Sequence, residues 1–227
     1  RQWSRGLGDV YKRQFWYHAH FQTWKQISKG LYGPLIVKNY VDEQFDNDVI
    51  ILADDWRLNK NYQIDEKSFG SLHDWSHAGR IGNWLTINGK KFPKYSINKN
   101  GHTRLRFINA SNARILSFGS SLEGMKIISI DGMWVEPFIQ DKFNLGPGQR
   151  VDLLIKTDDL STIDFFEVSG KKPLNAFKLN INQTSKKNIR KELKIVDDRQ
   201  KKYINSDKGK ESLKKAQEKY DKSDVLK

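Results

Sequence analysis

Residues 15–37 read FWYHAHFQTWKQISKGLYGPLIV, and the alternation within their first seven positions is the most informative feature of the chain. Apolar and polar side chains alternate there with a period of two, which indicates a β-strand. One face of that strand would be mostly aromatic and suited to a core, with Phe15, Tyr17, Ala19 and Phe21. The opposite face would carry Trp16, His18 and His20.

The two histidines on that second face indicate a metal site. Imidazoles two residues apart on a strand lie about 7 Å apart at their Cα atoms, a spacing that suits ligation of neighbouring metal ions. Neutral imidazole is a good ligand for Cu, Zn, Fe and Ni. Taken alone, however, the pattern of His18 and His20 describes two surface histidines without a ligand role equally well.

Outward from this stretch, short β-rich runs recur between Gly, Asn, Asp and Pro. They cover residues 15–21, 33–37, 49–56, 84–87, 103–109, 126–130, 150–156, 163–169 and 176–181. Asn88-Gly89 is a strong hairpin signal, and Pro147-Gly148 fits a type II turn. Strands at this spacing, without long amphipathic helices between them, predict a β-sandwich or barrel.

Composition excludes several kinds of site. The 227 residues include no cysteine, so the chain holds no disulfide, no zinc–thiolate cluster and no thiol nucleophile. A blue-copper centre is excluded as well, because that site needs a Cys thiolate. No apolar run approaches the length of a membrane span, and residues 1–14 lack the apolar segment of a signal peptide.

The net charge of +13 is unevenly placed. Residues 186–227 hold 15 Lys/Arg against 8 Asp/Glu, and residues 1–14 hold 4 against 1. Residues 15–185, the part expected to fold, are therefore nearly neutral. A basic nucleic-acid-binding surface is accordingly disfavoured, and any such binding would be salt-sensitive and confined to the tail.

The stretch 15–37 resembles the second copper-binding motif of multicopper oxidases, W-Y/F-H-x-H followed by G-L-x-G-P-L-I-V. Further landmarks of that family's second domain follow in the family's order: DDW at 54–56, NWLTINGK at 83–90, RLRFINA at 104–110, DG at 131–132 and PGQRVDLLI at 147–155. The resemblance covers residues 15–182. This ordered set of motifs identifies the family far more specifically than any one of the motifs does.

The resemblance implies an all-β fold of tandem cupredoxin-like (plastocyanin-like) Greek-key sandwiches, as in laccase-like bacterial enzymes of three domains. Residues 15–45 would be the C-terminal part of a truncated first domain, and 46–183 the second domain. Residues 1–14 read as a non-native lead, the alternative being a native polar segment. Residues 184–227 read as a charged tail or interdomain linker.

The resemblance also implies a function. His18 and His20 match the positions that each bind one copper of the type 3 pair, which forms a trinuclear cluster with a type 2 copper. Such enzymes oxidise phenols, or metal ions such as Cu(I), one electron at a time and reduce dioxygen to water. They are typically periplasmic or extracellular.

The chain departs from the family pattern in what it lacks. The cluster needs eight histidines, whereas this chain has five and only two match. The upstream H-x-H pair, the third domain and the type 1 Cys have no counterpart here. We therefore expect the chain to be inactive alone, with the remaining first-domain strands and a third cupredoxin domain as its partners. The alternative is a non-catalytic cupredoxin-like module that serves in binding or assembly.

The other polar residues favour structural roles. His73 and His77, four residues apart in a loop-like stretch, are expected to bond loop backbone, with a metal pair or a surface against the third domain as alternatives. His102 should be exposed in a turn. Asp54 and Asp55 are expected to be turn or cap residues, and Asp131-Gly132 a hairpin turn. Arg150 and Asp152, two apart on one strand, are expected to enter cross-strand charge pairs.

Overall fold

Short segments bounded by turn residues build an architecture made almost entirely of strands. The computed structural model describes residues 14–37, 45–99, 101–157 and 160–182. These residues form two short α-helices, α1 (Thr23–Ile27) and α2 (Leu72–Ser76), a 3-10 turn at Glu66–Ser68, and thirteen strands. The strands are β1 (Gln14–His18), β2 (Tyr32–Ile36), β3 (Asn47–Trp56), β4 (Trp84–Ile87), β5 (Lys94–Asn98), β6 (His102–Asn109), β7 (Leu116–Ser120), β8 (Met125–Ile130), β9 (Met133–Gln140), β10 (Lys142–Leu145), β11 (Arg150–Lys156), β12 (Thr162–Glu167) and β13 (Leu174–Asn182).

The strands are arranged in two larger sheets and a separate hairpin. One sheet has six strands in the order β4-β3-β6-β11-β8-β9, and the other has five in the order β10-β7-β12-β13-β5. Strands β3 and β6 are parallel, as are β13 and β5, while the other pairs are antiparallel. Strands β1 and β2 form an antiparallel pair of their own. The all-β sandwich predicted from the sequence is confirmed.

The core lies between the two larger sheets. Phe107, on the six-stranded sheet, is fully buried. Its ring contacts four phenylalanines of the five-stranded sheet at centroid distances between 5.1 and 5.9 Å: Phe118, Phe143, Phe165 and Phe177. Aromatic side chains bury the largest apolar areas of any residues, so this cluster accounts for much of the contact that joins the sheets.

The turn predictions are confirmed. Asp131-Gly132 joins β8 to β9 with φ values of 50° and 79°, the left-handed backbone that a type I′ hairpin turn needs. Ile87 and Lys90 exchange two backbone hydrogen bonds, of 2.9 and 3.0 Å, around Asn88-Gly89. The turn at Pro147-Gly148 closes with a 3.0 Å hydrogen bond from Gln149 N–H to the Gly146 carbonyl.

The predicted strand over 15–21 is too long. Strand β1 ends at His18, and Gln22, with φ 44°, precedes α1. The predicted core role of the aromatic face is also wrong, because Tyr17 is 60% exposed and Phe21 is 75% exposed. The reason is that β1 pairs with β2 alone, and within the described residues no second layer covers this side of the hairpin.

Several sequence expectations fall outside the described residues. They include residues 1–13 of the lead and the whole of the charged tail 184–227. Gln14 itself is the first residue of β1; it is buried, and its side-chain Nε2 donates to the Phe107 carbonyl at 3.2 Å. Across the described ranges, no helix combines the length and the hydropathy needed to cross a membrane.

Candidate metal centre

The β1–β2 hairpin places the two predicted ligands beside each other. Its register pairs His18, the last residue of β1, with Tyr32, the first residue of β2. The His18 ring stacks on Trp16 at a centroid distance of 4.4 Å and on His20 at 5.0 Å. The three side chains therefore share one side, as the alternation predicts, even though His20 lies beyond the end of the strand.

The environment of His18 favours the neutral imidazole. Its Nδ1 atom is buried and has no hydrogen-bond partner among the described residues. Desolvation lowers the pKa of His18, and the nearby His20 lowers it further. A neutral ring is the form that binds a metal ion. A buried polar atom without a partner costs free energy, and coordination of a metal ion would remove that cost.

The donor set fits copper but is incomplete within the residues that the structure describes. Imidazole nitrogen is a suitable ligand for copper, so His18 and His20 can each provide one bond to a copper ion. Across the ranges that the structure describes, no cluster of three or more His, Cys, Asp or Glu side chains is placed to hold a metal ion. A copper site with more ligands would need residues from elsewhere.

Polar contacts tie this hairpin to the sandwich. The Tyr32 hydroxyl donates to Asp54 Oδ2 at 2.5 Å, and the Asp55 N–H donates to Asp54 Oδ1 at 2.7 Å. Burial raises the pKa of Asp54 to about 7, although both donors favour its ionised form. Burial also raises the pKa of Tyr32, and the neighbouring Asp54 adds to that effect. Tyr32 thus connects the strand facing His18 to the end of β3.

Further contacts fix the hairpin on its other sides. A Cβ built on Gly148 would lie 3.4 Å from Trp16 Cζ2, so the Trp16 indole lies against the sandwich. The Asn112 amide donates to the Trp24 carbonyl at 2.8 Å, and Arg80 donates to the Ser28 hydroxyl at 3.1 Å. The orientation of β1 is therefore set by the sandwich as well as by β2.

The prediction that the two aspartates of the DDW motif are turn or cap residues is wrong, because both lie within β3 and pair with β4. Asp55 Oδ2 accepts from the Gly82 N–H at 2.6 Å and from Arg114 Nε at 2.8 Å. Asp54 binds Tyr32, and both aspartates are buried. The sequence analysis did not identify Tyr32 as part of this arrangement. No local pattern marks it, because its partner lies 22 residues away.

Of the remaining histidines, His77 contacts backbone through its ring, as expected. His77 Nδ1 lies 2.9 Å from the His73 carbonyl, and the two rings are 4.2 Å apart. His102 is exposed at the start of β6. The expected cross-strand charge pairs form between Asp152 and Arg104, at 2.5 Å, and between Arg150 and Asp131, at 3.4 Å.

Comparison with known proteins identifies similar sequences. Residues 47–188, more than half of the chain, match the sequence model of the family described as Multicopper oxidase. Laccase-2 of Thanatephorus cucumeris is 31% identical over 167 residues, which is 63% of this chain and 26% of that protein. Multicopper oxidase mco of Staphylococcus aureus is 31% identical over 163 residues, which is 66% of this chain and 35% of that protein.

Solved structures show the same fold. A multi-copper oxidase from Pseudomonas Thermotolerans superimposes with a TM-score of 0.70 at 21% identity, covering 77% of this chain and 42% of that one. Lac15 from a marine microbial metagenome gives a TM-score of 0.60 at 27% identity, covering 77% and 43%. The chain thus spans between about a quarter and two fifths of the length of these relatives.

Proposed function

Because the chain belongs to the multicopper oxidase family, we propose that it is part of a copper-dependent oxidase in which His18 and His20 each bind one copper of the type 3 pair. The observation that carries this proposal is the stacked pair of imidazoles, one of which has a buried nitrogen without a hydrogen-bond partner in the described part of the chain. Copper supplies one-electron redox chemistry when it is bound there.

The chain's own residues prepare this site. Desolvation lowers the pKa of His18 and so favours the neutral ring, whose lone pair can bind a metal ion. Trp16 stacks on one face of the His18 ring, and His20 stacks beside it. The Tyr32–Asp54 hydrogen bond holds the paired strand in place. Outer contacts of this kind orient metal ligands and raise the affinity of a site.

We propose the domain division that the sequence motifs suggest. Residues 15–45 would end a first cupredoxin domain, which agrees with a hairpin whose exposed face carries Tyr17 and Leu35. Residues 46–183 would form the second domain, in agreement with the two sheets built from β3 to β13. The other cluster histidines and the type 1 Cys would come from the rest of the first domain and from a third domain.

In the whole protein the reaction would be oxidation of a phenol or a metal ion, coupled to reduction of dioxygen to water. Several of the relatives are named laccases. We place the protein in the periplasm or outside the cell, as is typical of such oxidases. Because this chain offers two of the eight cluster histidines, it would not catalyse the reaction alone.

The test is to sequence the gene through both flanks of this chain and to express the whole protein. We expect an H-x-H pair upstream of Phe15 and an H-C-H segment downstream of Lys227. Variants His18→Ala and His20→Ala should each lose copper, measured by elemental analysis, and should lose dioxygen consumption. The exposed His102→Ala variant is the control and should keep both.

Flanks without these motifs would refute the oxidase assignment and leave the non-catalytic cupredoxin-like module. If the flanks carry the motifs but His18→Ala and His20→Ala retain full copper, the family assignment stands and the assignment of these two ligands fails. The two parts of the proposal are therefore tested separately.

A further inference from the structure

A second pair of histidines lies away from the hairpin, His73 within α2 and His77 as the residue that follows its last turn. The helix starts at Ser71, whose hydroxyl accepts the Asp74 N–H at 3.3 Å. Its single turn brings His73 and His77, four residues apart, to one side, with ring centroids 4.2 Å apart. Both side chains are exposed, and both border a cleft of about 420 Å³ that Arg57, Gly79 and Ile81 also line.

The hydrogen bond of His77 fixes which of its nitrogens is free. Its Nδ1 lies 2.9 Å from the His73 carbonyl oxygen, which can only accept a hydrogen bond. The Ser76 hydroxyl also lies 3.0 Å from Nδ1, and it donates its own proton to the Leu72 carbonyl, so it too accepts from this nitrogen. In the neutral ring with Nδ1 protonated, Nε2 presents its lone pair. Metal-ligating histidines almost always donate their other ring N–H to a carbonyl or carboxylate in this way, which orients the ring. The His77 ring is thus held as a metal ligand would be.

We propose that His73 and His77 form a surface site for a borderline divalent transition-metal ion, Cu²⁺ or Zn²⁺. His77 follows the helix with non-helical backbone, but its ring lies 4.2 Å from that of His73, so the two side chains can bind one ion together. Within the described residues no third His, Cys, Asp or Glu side chain completes the set, so water fills the remaining positions. The bound ion is therefore exchangeable and can be removed by a chelator.

The charges around the cleft permit a cation. Arg57 is the cationic side chain that lines the cleft, and its Nη1 lies 2.7 Å from Asp74 Oδ2. A second carboxylate, that of Asp65, lies 3.8 Å from Arg57 Nε. These two carboxylates offset the guanidinium charge, so an incoming metal ion does not meet an unscreened positive group. The site uses neither His18 nor His20, and its existence does not rest on the proposed oxidase function.

The test uses the whole 227-residue chain with His18→Ala and His20→Ala, which removes the other histidine pair. Zn²⁺ is titrated by calorimetry at about pH 8, above the ordinary pKa of imidazole. We expect one Zn²⁺ ion per chain. Adding His73→Ala should weaken binding by at least about tenfold, because loss of even an outer-shell partner costs that much at a metal site. His77→Ala should have a similar effect.

Two controls distinguish this site from nonspecific binding or misfolding. His73→Ala keeps the carbonyl that binds His77, so it removes one ligand while leaving the other ring in place. Adding His102→Ala instead, which removes an exposed single histidine, should leave Zn²⁺ affinity unchanged. Circular dichroism of each variant checks the fold.

Nuclear magnetic resonance of ¹⁵N-histidine should show Zn²⁺ shifting the Nε2 signal of His77 while Nδ1 stays protonated. The proposal is overturned if the parent variant binds no Zn²⁺ or if His73→Ala and His77→Ala bind it as tightly as the parent.

Discussion

Gly82 lies where the loop before β4 passes the end of β3. A Cβ at this position would overlap the Asp55 carbonyl and lie 2.9 Å from the Trp56 carbonyl carbon, and backbone atoms of a buried strand cannot move aside cheaply. Gly82 is also held by its N–H bond to Asp55, at 2.6 Å, and by Arg114 Nη2, which donates to its carbonyl at 2.6 Å. Only glycine allows this close approach.

We therefore expect Gly82→Ala to lower the free energy of unfolding by about 3 kcal/mol or more, as overpacking against rigid atoms does. Urea unfolding followed by tryptophan fluorescence measures this change. Gly170→Ala is the matched control, since the atom nearest to its Cβ would be the Lys172 carbonyl oxygen, 3.7 Å away, and it should change stability by less than about 1 kcal/mol. Equal effects of the two substitutions would refute the packing argument.

Because of Asp54, the free energy of unfolding should fall as the pH rises. Burial raises its pKa to about 7 in the folded state, whereas an unfolded Asp titrates near its ordinary pKa of ~3.9. Its contribution to stability is therefore complete below about pH 4 and is lost as the pH rises to about 7, by an amount on the order of 4 kcal/mol.

The variant Asp54→Asn should flatten this decline, because asparagine does not titrate. Urea unfolding at a series of pH values between about 4 and 7.5 measures it. Asp55 and Asp152 also have pKa values raised by burial, so some decline should remain in the variant. The same slope in the two proteins would show that Asp54 ionises normally in the fold.

At the scale of elements, the sequence predicted those features that depend on local chemistry. Asp131-Gly132 carries its own turn signal, and β11 carries its own alternation. Strand β9 was missed because it is mostly exposed and contains Pro137, so that no buried face produces a pattern. His18 and His20 were proposed as ligands because the stretch around them resembles a copper-binding motif, whereas their spacing alone describes two surface histidines equally well. The Tyr32–Asp54 contact could not be predicted from the sequence, because tertiary packing brings these distant residues together.

A buried ion pair joins β6 to β11 within the six-stranded sheet. Arg104 and Asp152 are both buried, with Nη2 and Oδ2 2.5 Å apart. The Arg104 guanidinium also lies over the rings of Phe45 and Trp134, at 5.4 and 4.6 Å from their centroids. Arg104 and Arg106 lie on the face of β6 opposite to Phe107 and the aromatic core. The structure shows that this second face is buried as well.

We expect Asp152→Ala to lower the free energy of unfolding by about 3–5 kcal/mol, because it leaves the Arg104 charge buried without its carboxylate. The double variant Arg104→Met/Asp152→Leu should recover most of that loss. The control is Asp164→Ala, which breaks the more exposed cross-strand pair with Lys178 and should cost less than about 1 kcal/mol. Chemical denaturation measures all three. A small loss in Asp152→Ala, or no recovery in the double variant, would contradict the argument.

At the scale of the whole molecule, the two parts of the described structure are held by different forces. The sandwich is stabilised by apolar contact across its sheets, centred on Phe107. The hairpin contributes few buried apolar side chains and is attached mainly through hydrogen bonds from Tyr32, Arg80 and Asn112. Segments with little apolar burial open at lower free energy than the core. The hairpin carrying His18 and His20 should therefore open without the sandwich unfolding.

This difference predicts the effect of Asn112→Ala, which removes the bonds from the Asn112 amide to the Trp24 carbonyl and the Ser28 hydroxyl and leaves that carbonyl accessible to water. Amides of residues 14–37 should exchange about three- to tenfold faster, since one such bond contributes about 0.5–1.5 kcal/mol, while amides of β6 and β11 should be unchanged. Hydrogen exchange with mass spectrometry measures both. Asn175→Ala, at an exposed position of β13, should alter neither. Equal acceleration of the core amides in Asn112→Ala would instead mean that hairpin and sandwich unfold as one cooperative unit, so that the histidine pair could not move independently of the core.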